Sequence, residues 1–206
     1  HNLGTLCVID RQPRQFAAKQ VTLLEELAQL VLRELELRRE LTVNPLTGLT
    51  NRANFLEQAE PELRRAREEQ EPLALLALEL DQFGQVRIRW GQEASDRALR
   101  DVAACLRAQH RPQDLLAQIG DQSFAMLMVD VDQTAAMEWA EAIRIGIAEL
   151  GGVFRSSGHQ LSVSGGLTLL APQDQSPQEL LLRAERALFL ALGNGHNQIA
   201  LLLQDS

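Results

Sequence analysis

Several residue types are rare or absent in this 206-residue chain. It contains no tyrosine, two cysteines, four histidines and, among 20 basic residues, a single lysine at Lys19. The two cysteines, Cys7 and Cys105, and the scattered histidines do not form a zinc site. Both cysteines lie in apolar segments, which is typical of buried free thiols in a reducing compartment. Because the start of the chain also lacks a secretory signal, we expect a cytoplasmic protein.

Long apolar runs and an excess of positive charge are missing as well. No run reaches the ~18 residues of a membrane-spanning helix, so the sequence predicts no membrane segment in this chain. The net charge of −8 argues against a nucleic-acid polymer as partner, because such binding needs a cationic surface. Hydrophobic residues make up 45% of the chain, which is enough for a sizeable core. The chain does not begin with methionine, and we expect it to be part of a longer protein.

Residues 1–42 are predicted to form a short strand and one long helix. The strand covers residues 4–10 and the helix covers residues 16–41. A single strand cannot form a domain, so this segment is predicted to end a truncated domain and to continue as a connecting helix. An apolar stripe along the helix predicts a homodimer through residues 16–41, paired as a parallel coiled coil. The alternative is that the helix folds back onto the rest of the chain. The stripe consists of Leu24, Leu27, Val31 and Leu35.

The rest of the chain alternates between helical and strand patterns. Amphipathic helices are predicted at residues 51–70, 92–109, 134–150 and 177–192. Strands are predicted at residues 73–80, 115–119, 124–129, 161–169 and 198–203. The second and third strands are separated by a short segment with a glycine, which indicates a hairpin. This order predicts an α/β (α+β) domain with one mixed sheet flanked by helices.

Short motifs in this second part occur in a recognisable order. Residues 46–52 read LTGLTNR, and the hairpin turn at residues 120–124 reads GDQSF. Asp96 follows Asp81 by 15 positions, and the later motifs are SGG, AERALF and GHN. On these motifs the chain from residue 43 to residue 206 resembles the GGDEF domain family. Residues 1–42 resemble, over a shorter stretch, the end of a GAF sensory domain followed by its signalling helix.

The resemblance implies a fold and a chemistry. GGDEF domains have the ferredoxin-like mixed sheet of nucleotidyl cyclases, and the bacterial diguanylate cyclases among them condense two GTP into cyclic di-GMP. Two domains face each other, each holding one GTP with a divalent metal such as Mg²⁺, and a 3′-oxygen attacks an α-phosphate. This reaction needs metal to gather phosphate charge, cationic side chains on the phosphates, and a close backbone approach at glycines.

The carboxylates that the resemblance assigns to catalysis are largely replaced. The family turn reads G-G-D/E-E-F. Here Gln122 stands in place of a metal-binding carboxylate, and Ser123 stands in place of the catalytic glutamate. Asp121 follows Gly120 and stands in place of the second glycine of the family turn. Its side chain adds bulk and negative charge beside the phosphates. The first-strand metal aspartate is Glu79, a carboxylate that is one methylene longer. The resemblance thus implies no catalytic residue at the turn and no metal site beyond the remnant Glu79.

The phosphate-binding cations of the family are replaced too. The lysine after the first strand is Gly84, and the late lysine and arginine are Leu192 and His196. The guanine-reading asparagine is Arg87, while its partner aspartate is retained as Asp96. Because Lys19 is the only lysine, no neighbouring lysine can replace them by a shift in register.

A further family pattern is an inhibitory site that binds cyclic di-GMP through an RxxD motif. The motif occurs here as Arg111 and Asp114, five residues before the hairpin turn, and Gln118 stands where an arginine usually precedes the turn. An arginine and an aspartate at this spacing can grip a phosphate and a guanine edge. The alternative is that Asp114 turns the chain into the strand while Arg111 is solvated at a helix end.

These observations favour a non-catalytic signal-transduction module that acts by dimerisation or by docking a partner. No cofactor is expected for it. The alternatives are an active diguanylate cyclase, which would need GTP and Mg²⁺, and a receptor that binds GTP or cyclic di-GMP without turnover.

Overall fold

A computed structural model describes residues 17–150 and 161–203 of the chain. The chain divides into two compact units, residues 1–42 and 43–206. The described part of the first unit is helix α1, Ala18–Thr42, and the strand predicted at residues 4–10 lies outside the described residues. Six large apolar side chains of α1 are between 40% and 66% exposed, namely Val21, Leu23, Leu27, Leu30, Val31 and Leu32. Within the described ranges, no helix combines the length and the apolar character needed to cross a membrane.

The second unit contains six strands and four helices in its described part. The strands are β1 Thr50–Asn51, β2 Leu73–Leu80, β3 Leu115–Gln118, β4 Ser123–Val129, β5 Val163–Leu169 and β6 Ile199–Leu201. The helices are α2 Arg52–Glu69, α3 Phe83–Gln109, α4 Gln133–Ala148 and α5 Pro177–Gly193.

The six strands form one mixed sheet in the order β1-β3-β4-β2-β5-β6. The two outer pairs, β1 with β3 and β5 with β6, are parallel, and the inner pairs are antiparallel. The segment from β2 to β5 is a β-α-β-β-α-β unit with the strand order of a ferredoxin-like sheet. The predicted fold class is therefore confirmed.

The central strand β2 separates two hydrophobic cores. Its even-numbered residues, such as Leu76 and Leu78, belong to a core that also contains residues of α3 and α4. Its odd-numbered residues, such as Leu73 and Leu75, belong to a second core with residues of α2 and α5. Neighbouring side chains of a strand point to opposite faces, so a strand covered by helices on both faces is apolar throughout. This explains the unbroken apolar run that predicted β2.

Two elements differ from the sequence-based expectation. Helix α3 begins at Phe83, nine residues before the predicted start, and a kink at Gly91 divides it because that residue has φ 81°. The first segment was not predicted because its exposed face mixes Arg87, Ile88 and Arg89 and so lacks a clear amphipathic pattern. The two-residue strand β1 was missed as well, since it is very short and its parallel pairing is with the distant β3.

Helix α5 lies directly against strand β5, and the SGG motif permits this approach. A Cβ atom added at Gly166 would lie 2.1 Å from both the carbonyl oxygen of Ala184 and the backbone nitrogen of Leu188. At Gly165 it would lie 2.4 Å from Cδ1 of Ile199 in β6. Gly166 is therefore needed for its lack of a side chain, which lets the backbones of β5 and α5 come into contact, while Gly165 leaves room for Ile199 on the opposite face of β5.

We expect Gly166→Ala to lower the free energy of unfolding by about 3 kcal/mol, because the added methyl group must push α5 away from the sheet. Urea denaturation followed by circular dichroism measures this change. The matched control is Gly84→Ala, since a Cβ atom there would meet no heavy atom within 4 Å. Alanine favours the helix, so the control should raise stability by up to about 1 kcal/mol. Equal effects of the two substitutions would contradict this account of the helix–sheet contact.

Candidate functional site

The hairpin turn between β3 and β4 is bonded to the end of the central strand. Gln122 Nε2 donates to Oε1 of Glu79 at 2.9 Å, and Ser123 Oγ donates to Oε2 of the same carboxylate at 3.2 Å. Glu79 and Ser123 are register partners across β2 and β4, which explains why these side chains meet. The structure therefore brings together three of the predicted site residues. Both oxygens of the Glu79 carboxylate therefore accept hydrogen bonds from residues of the turn.

The base of the turn is held by an amide rather than by a cation. Gln118 is buried, and its Nε2 donates to the carbonyl oxygens of Gly120 at 3.0 Å and Asp121 at 3.3 Å. Its Oε1 accepts from the hydroxyl of Thr47 at 2.7 Å, which connects the turn to the LTGLTNR segment. Asp121 itself is exposed. The turn is thus held by several hydrogen bonds and has a negative charge at its tip.

Beside the turn, Asp81 is a buried carboxylate that joins three segments. It is 7% exposed, and its Oδ1 accepts from Ser164 Oγ at 2.7 Å. Its Oδ2 accepts from Ser162 Oγ at 2.7 Å and from the backbone nitrogen of Asn197 at 3.0 Å. The end of β2, the start of β5 and the turn before β6 are therefore held by one side chain.

The turn before β6 has an unusual backbone. Gly195, His196 and Asn197 all have positive φ values, of 114°, 65° and 50°. His196 Nδ1 lies 3.4 Å from Asp81 Oδ1, and Asn197 Oδ1 accepts from Arg144 Nη1 at 2.8 Å. Left-handed conformations at residues other than glycine are costly, so these side-chain contacts stabilise the turn.

The other predicted nucleotide-binding positions lie outside this hydrogen-bonded group. Asp96 accepts from Gln92 Nε2 at 2.7 Å on the same helix, and Arg87 is exposed. Gly84 is exposed as well, whereas Leu192 packs against the second core. Among the described residues, no group of three His, Cys, Asp or Glu side chains is placed to hold a metal ion.

Arg111 and Asp114 form a closed ion pair. Arg111 Nε donates to Asp114 Oδ2 at 3.0 Å, and its Nη2 donates to Asp114 Oδ1 at 2.8 Å. Nη2 also donates to the carbonyl oxygen of Val129 at 2.7 Å, and the guanidinium stacks 4.6 Å from the ring centroid of Trp139. Asp114 accepts in addition from the backbone nitrogens of Arg111 and Val129, both at 3.1 Å. The pair therefore links the loop before β3 to the end of β4.

This geometry corrects part of the sequence-based alternative. Asp114 does turn the chain into β3, but Arg111 is packed on an aromatic ring rather than solvated at a helix end. The hydrogen bonds to Asp114 raise the pKa of the Arg111 guanidinium above its ordinary value, so its charge persists at every physiological pH.

A second buried ion pair was not predicted. Arg183 in α5 donates through Nη1 and Nη2 to the two oxygens of Asp174, at 2.6 and 2.7 Å. Its Nε donates to Thr168 Oγ1 at 2.6 Å, and Nη2 also donates to the carbonyl oxygen of Leu169 at 2.6 Å. The available signal was the helical spacing of Arg183 with Leu180 and Ala187, which places an arginine on the buried face of α5.

The model of the family described as "Diguanylate cyclase, GGDEF domain" matches residues 41–198 of the chain. The chain belongs to the GGDEF family.

Similar proteins carry the same domain. The diguanylate cyclase TpbB of Pseudomonas aeruginosa is 34% identical over 152 residues, which are 71% of this chain and 34% of TpbB. The coiled coil and GGDEF domain of DgcB from Caulobacter crescentus, solved with c-di-GMP, has a TM-score of 0.79 at 24% identity, with 90% of this chain and 98% of that chain covered. The diguanylate cyclase SiaD of Pseudomonas aeruginosa, solved with its activator SiaC, has a TM-score of 0.72 at 26% identity, with 89% and 74% covered. The chain spans about a third or less of the length of the curated relatives it matches.

We expect Asp81→Asn to lower the free energy of unfolding by about 2 kcal/mol. An amide keeps one acceptor oxygen and puts an NH₂ group against a donor, so a buried hydrogen bond is lost. Differential scanning calorimetry and chemical denaturation measure the change. Asp121→Asn removes the same charge from an exposed turn and should change stability by less than about 0.5 kcal/mol. An Asp81→Asn protein as stable as the Asp121→Asn protein would show that Asp81 does not hold these segments together.

Proposed function

We propose that residues 43–206 are a degenerate, non-catalytic GGDEF domain, which relays a signal in cyclic di-GMP signalling by dimerisation or by docking a partner. The observation that carries this proposal is the closed hydrogen-bonded arrangement of Glu79 with Gln122 and Ser123. In a catalytic site these positions would supply negative oxygens to a metal. Here two of them supply hydrogen-bond donors to the third.

The donor set does not fit a divalent cation. Mg²⁺ prefers carboxylate oxygens and water in near-octahedral geometry, and an amide or a hydroxyl is a weaker ligand. Glu79 alone remains, and both its oxygens are engaged by neighbouring side chains. We therefore derive no catalytic step through a metal at this turn.

The positions that would bind phosphates also support a lack of catalysis. The positions that the family fills with cations hold Gly84, Leu192 and His196. Asp121 adds a negative charge to the turn, and Lys19 is the only lysine of the chain. Removing one electrostatic stabiliser of a transition state typically costs about 10²- to 10³-fold in rate. Several such losses together leave no useful turnover.

We expect no cyclic di-GMP above the buffer blank when the full chain is incubated with GTP and Mg²⁺ or Mn²⁺. Chromatography of the nucleotides measures the product, and TpbB in the same assay verifies the conditions. A variant with Asp121→Gly, Gln122→Asp and Ser123→Glu should also stay inactive, because positions 84, 192 and 196 still lack cations. Product from the unmodified chain would refute the proposal. Product from the turn variant alone would show that the phosphate contacts matter less than we infer.

The first unit supports a role in signal transmission. Helix α1 exposes a series of leucine and valine side chains, among them Leu27 and Val31. We propose that residues 1–42 are the end of a GAF-like sensory domain with its signalling helix, and that the helix pairs with its copy.

Docking of another protein is supported by SiaD, a similar protein that was solved with its activator SiaC. A cytoplasmic location agrees with the free thiol of Cys105, whose pKa is raised by burial.

A second candidate function is a cyclic di-GMP receptor without turnover. The observation that favours it is the rigid position of Arg111, whose guanidinium is fixed by Asp114 and Trp139. Its Nη1 makes no hydrogen bond within the described part of the chain, and its side chain is 33% exposed. An oriented, permanently charged guanidinium is well suited to a phosphate.

If the chain binds cyclic di-GMP, Arg111→Ala should weaken binding at least about tenfold in isothermal titration calorimetry, since one charge-assisted contact is lost. Arg100→Ala is the control, because it removes the same charge from an exposed position of α3 and should leave affinity unchanged. A dissociation constant insensitive to Arg111→Ala, or the absence of any binding heat, would reject the receptor function at this site.

A further inference from the structure

The outward face of helix α5 carries a contiguous apolar patch. In the described part of the second unit, six large apolar side chains are more than 40% exposed, and four of them lie on α5 or just after β6. These four are Leu182, Phe189, Leu190 and Leu203, with exposures of 49%, 75%, 47% and 45%. Clustering of this kind marks an interaction surface more often than scattered exposure does.

Two grooves connect these side chains along the helix. A shallow groove of about 400 Å³ is lined by Leu182, Phe189 and Leu190 together with Glu185 and Arg186. A neighbouring cleft of about 560 Å³ shares Leu182 and Arg186 and is bounded by Leu202 and Leu203. The patch therefore runs from the end of β6 along two turns of α5.

Helix α5 packs on the sheet through its opposite face, so the apolar patch is free to contact another molecule. Leu181, Ala184 and Leu188 are in the second core, so the helix is anchored to the sheet by its opposite side. Leu182 and Phe189 are seven residues apart, which places them on one line along the helix. A helix that is already fixed in position presents this line without an ordering cost.

The charges beside the line determine which occupant fits. Successive helical residues are about 100° apart, so Glu185 lies on one side of the Leu182–Phe189 line and Arg186 lies on the other. When two copies pair in parallel about a two-fold axis, Glu185 of each copy faces Arg186 of the other. An antiparallel pair would instead place Glu185 against Glu185 and Arg186 against Arg186. The surface along the Leu182–Phe189 line is thus complementary to itself when two copies pair in parallel.

We propose that α5 is a second self-association surface, on which Leu182 and Phe189 pack against the same residues of a second copy in parallel. Glu185 and Arg186 exchange ion pairs across the interface, while Glu185 keeps its contact with Arg52 at 2.5 Å. The contact area of one helix face corresponds to a weak, concentration-dependent interface. This inference is independent of the proposed lack of catalysis.

Sedimentation equilibrium of the full chain tests the proposal. Leu27→Glu is introduced first, because pairing through α1 would hide a weaker association. This protein should still form dimers as its concentration is raised. Adding Phe189→Glu should raise the dissociation constant of the dimer at least about tenfold. Arg186→Glu should have the same effect, whereas Glu185→Arg with Arg186→Glu should restore association because the exchanged charges still face each other. A dimerisation constant unchanged by Phe189→Glu would overturn the proposal.

Disulfide trapping tests whether the two α5 helices pair in parallel or antiparallel. In a chain with Cys7→Ser, Cys105→Ala and Leu27→Glu, we expect Leu182→Cys to form a covalent dimer with itself on oxidation, and Phe189→Cys to do the same. Gln58→Cys, at an exposed position of α2, gives the background level. Cross-links only between Leu182→Cys and Phe189→Cys chains would overturn the parallel arrangement. Cross-linking at the background level would overturn the surface itself.

Discussion

The carboxylate of Asp81 is the contact on which the arrangement of the site depends. It is buried at the end of the central strand, where an unpaired charge would be strongly destabilising. Three donors from two distant segments satisfy it, Ser162, Ser164 and the backbone of Asn197. Because one side chain accepts all three bonds, the start of β5 and the turn before β6 cannot move independently of β2. This end of the sheet is therefore held together by one carboxylate.

The same end of the sheet contains the hydrogen-bonded group of Glu79, Gln122 and Ser123. Gln122 and Ser123 bond to Glu79, and Gln118 holds the turn through amide contacts. Gln122 and Ser123 are neutral donors, so hydrogen bonds stabilise the Glu79 carboxylate, while the negative charge of Asp121 stays exposed to solvent. A scaffold maintained in this way is suited to presenting surfaces to other proteins. This is the physical basis on which we propose signal relay rather than turnover.

Two ion pairs have a corresponding role at the opposite end of the strands, where β4 and β5 end beside the start of β2. Arg111 with Asp114 and Arg183 with Asp174 both join a loop to the end of a strand. In each pair the guanidinium also donates to a backbone carbonyl, which gives the loop a fixed path. Arg183 attaches the buried face of α5 to the end of β5. The opposite face of the helix, which contains Leu182 and Phe189, is exposed.

The sequence by itself determined the elements and the family. Helical spacing and unbroken apolar runs predicted β2, α4 and α5 to within a few residues, because an element's own periodicity records which of its faces is buried. The order of the motifs identified the GGDEF domain. Only the tertiary structure decided that Asp81 joins three segments, that Arg111 stacks on Trp139 28 positions away, and that β1 pairs with β3. These partners are distant in the chain, and their contacts depend on how whole helices and strands pack, which no local pattern encodes.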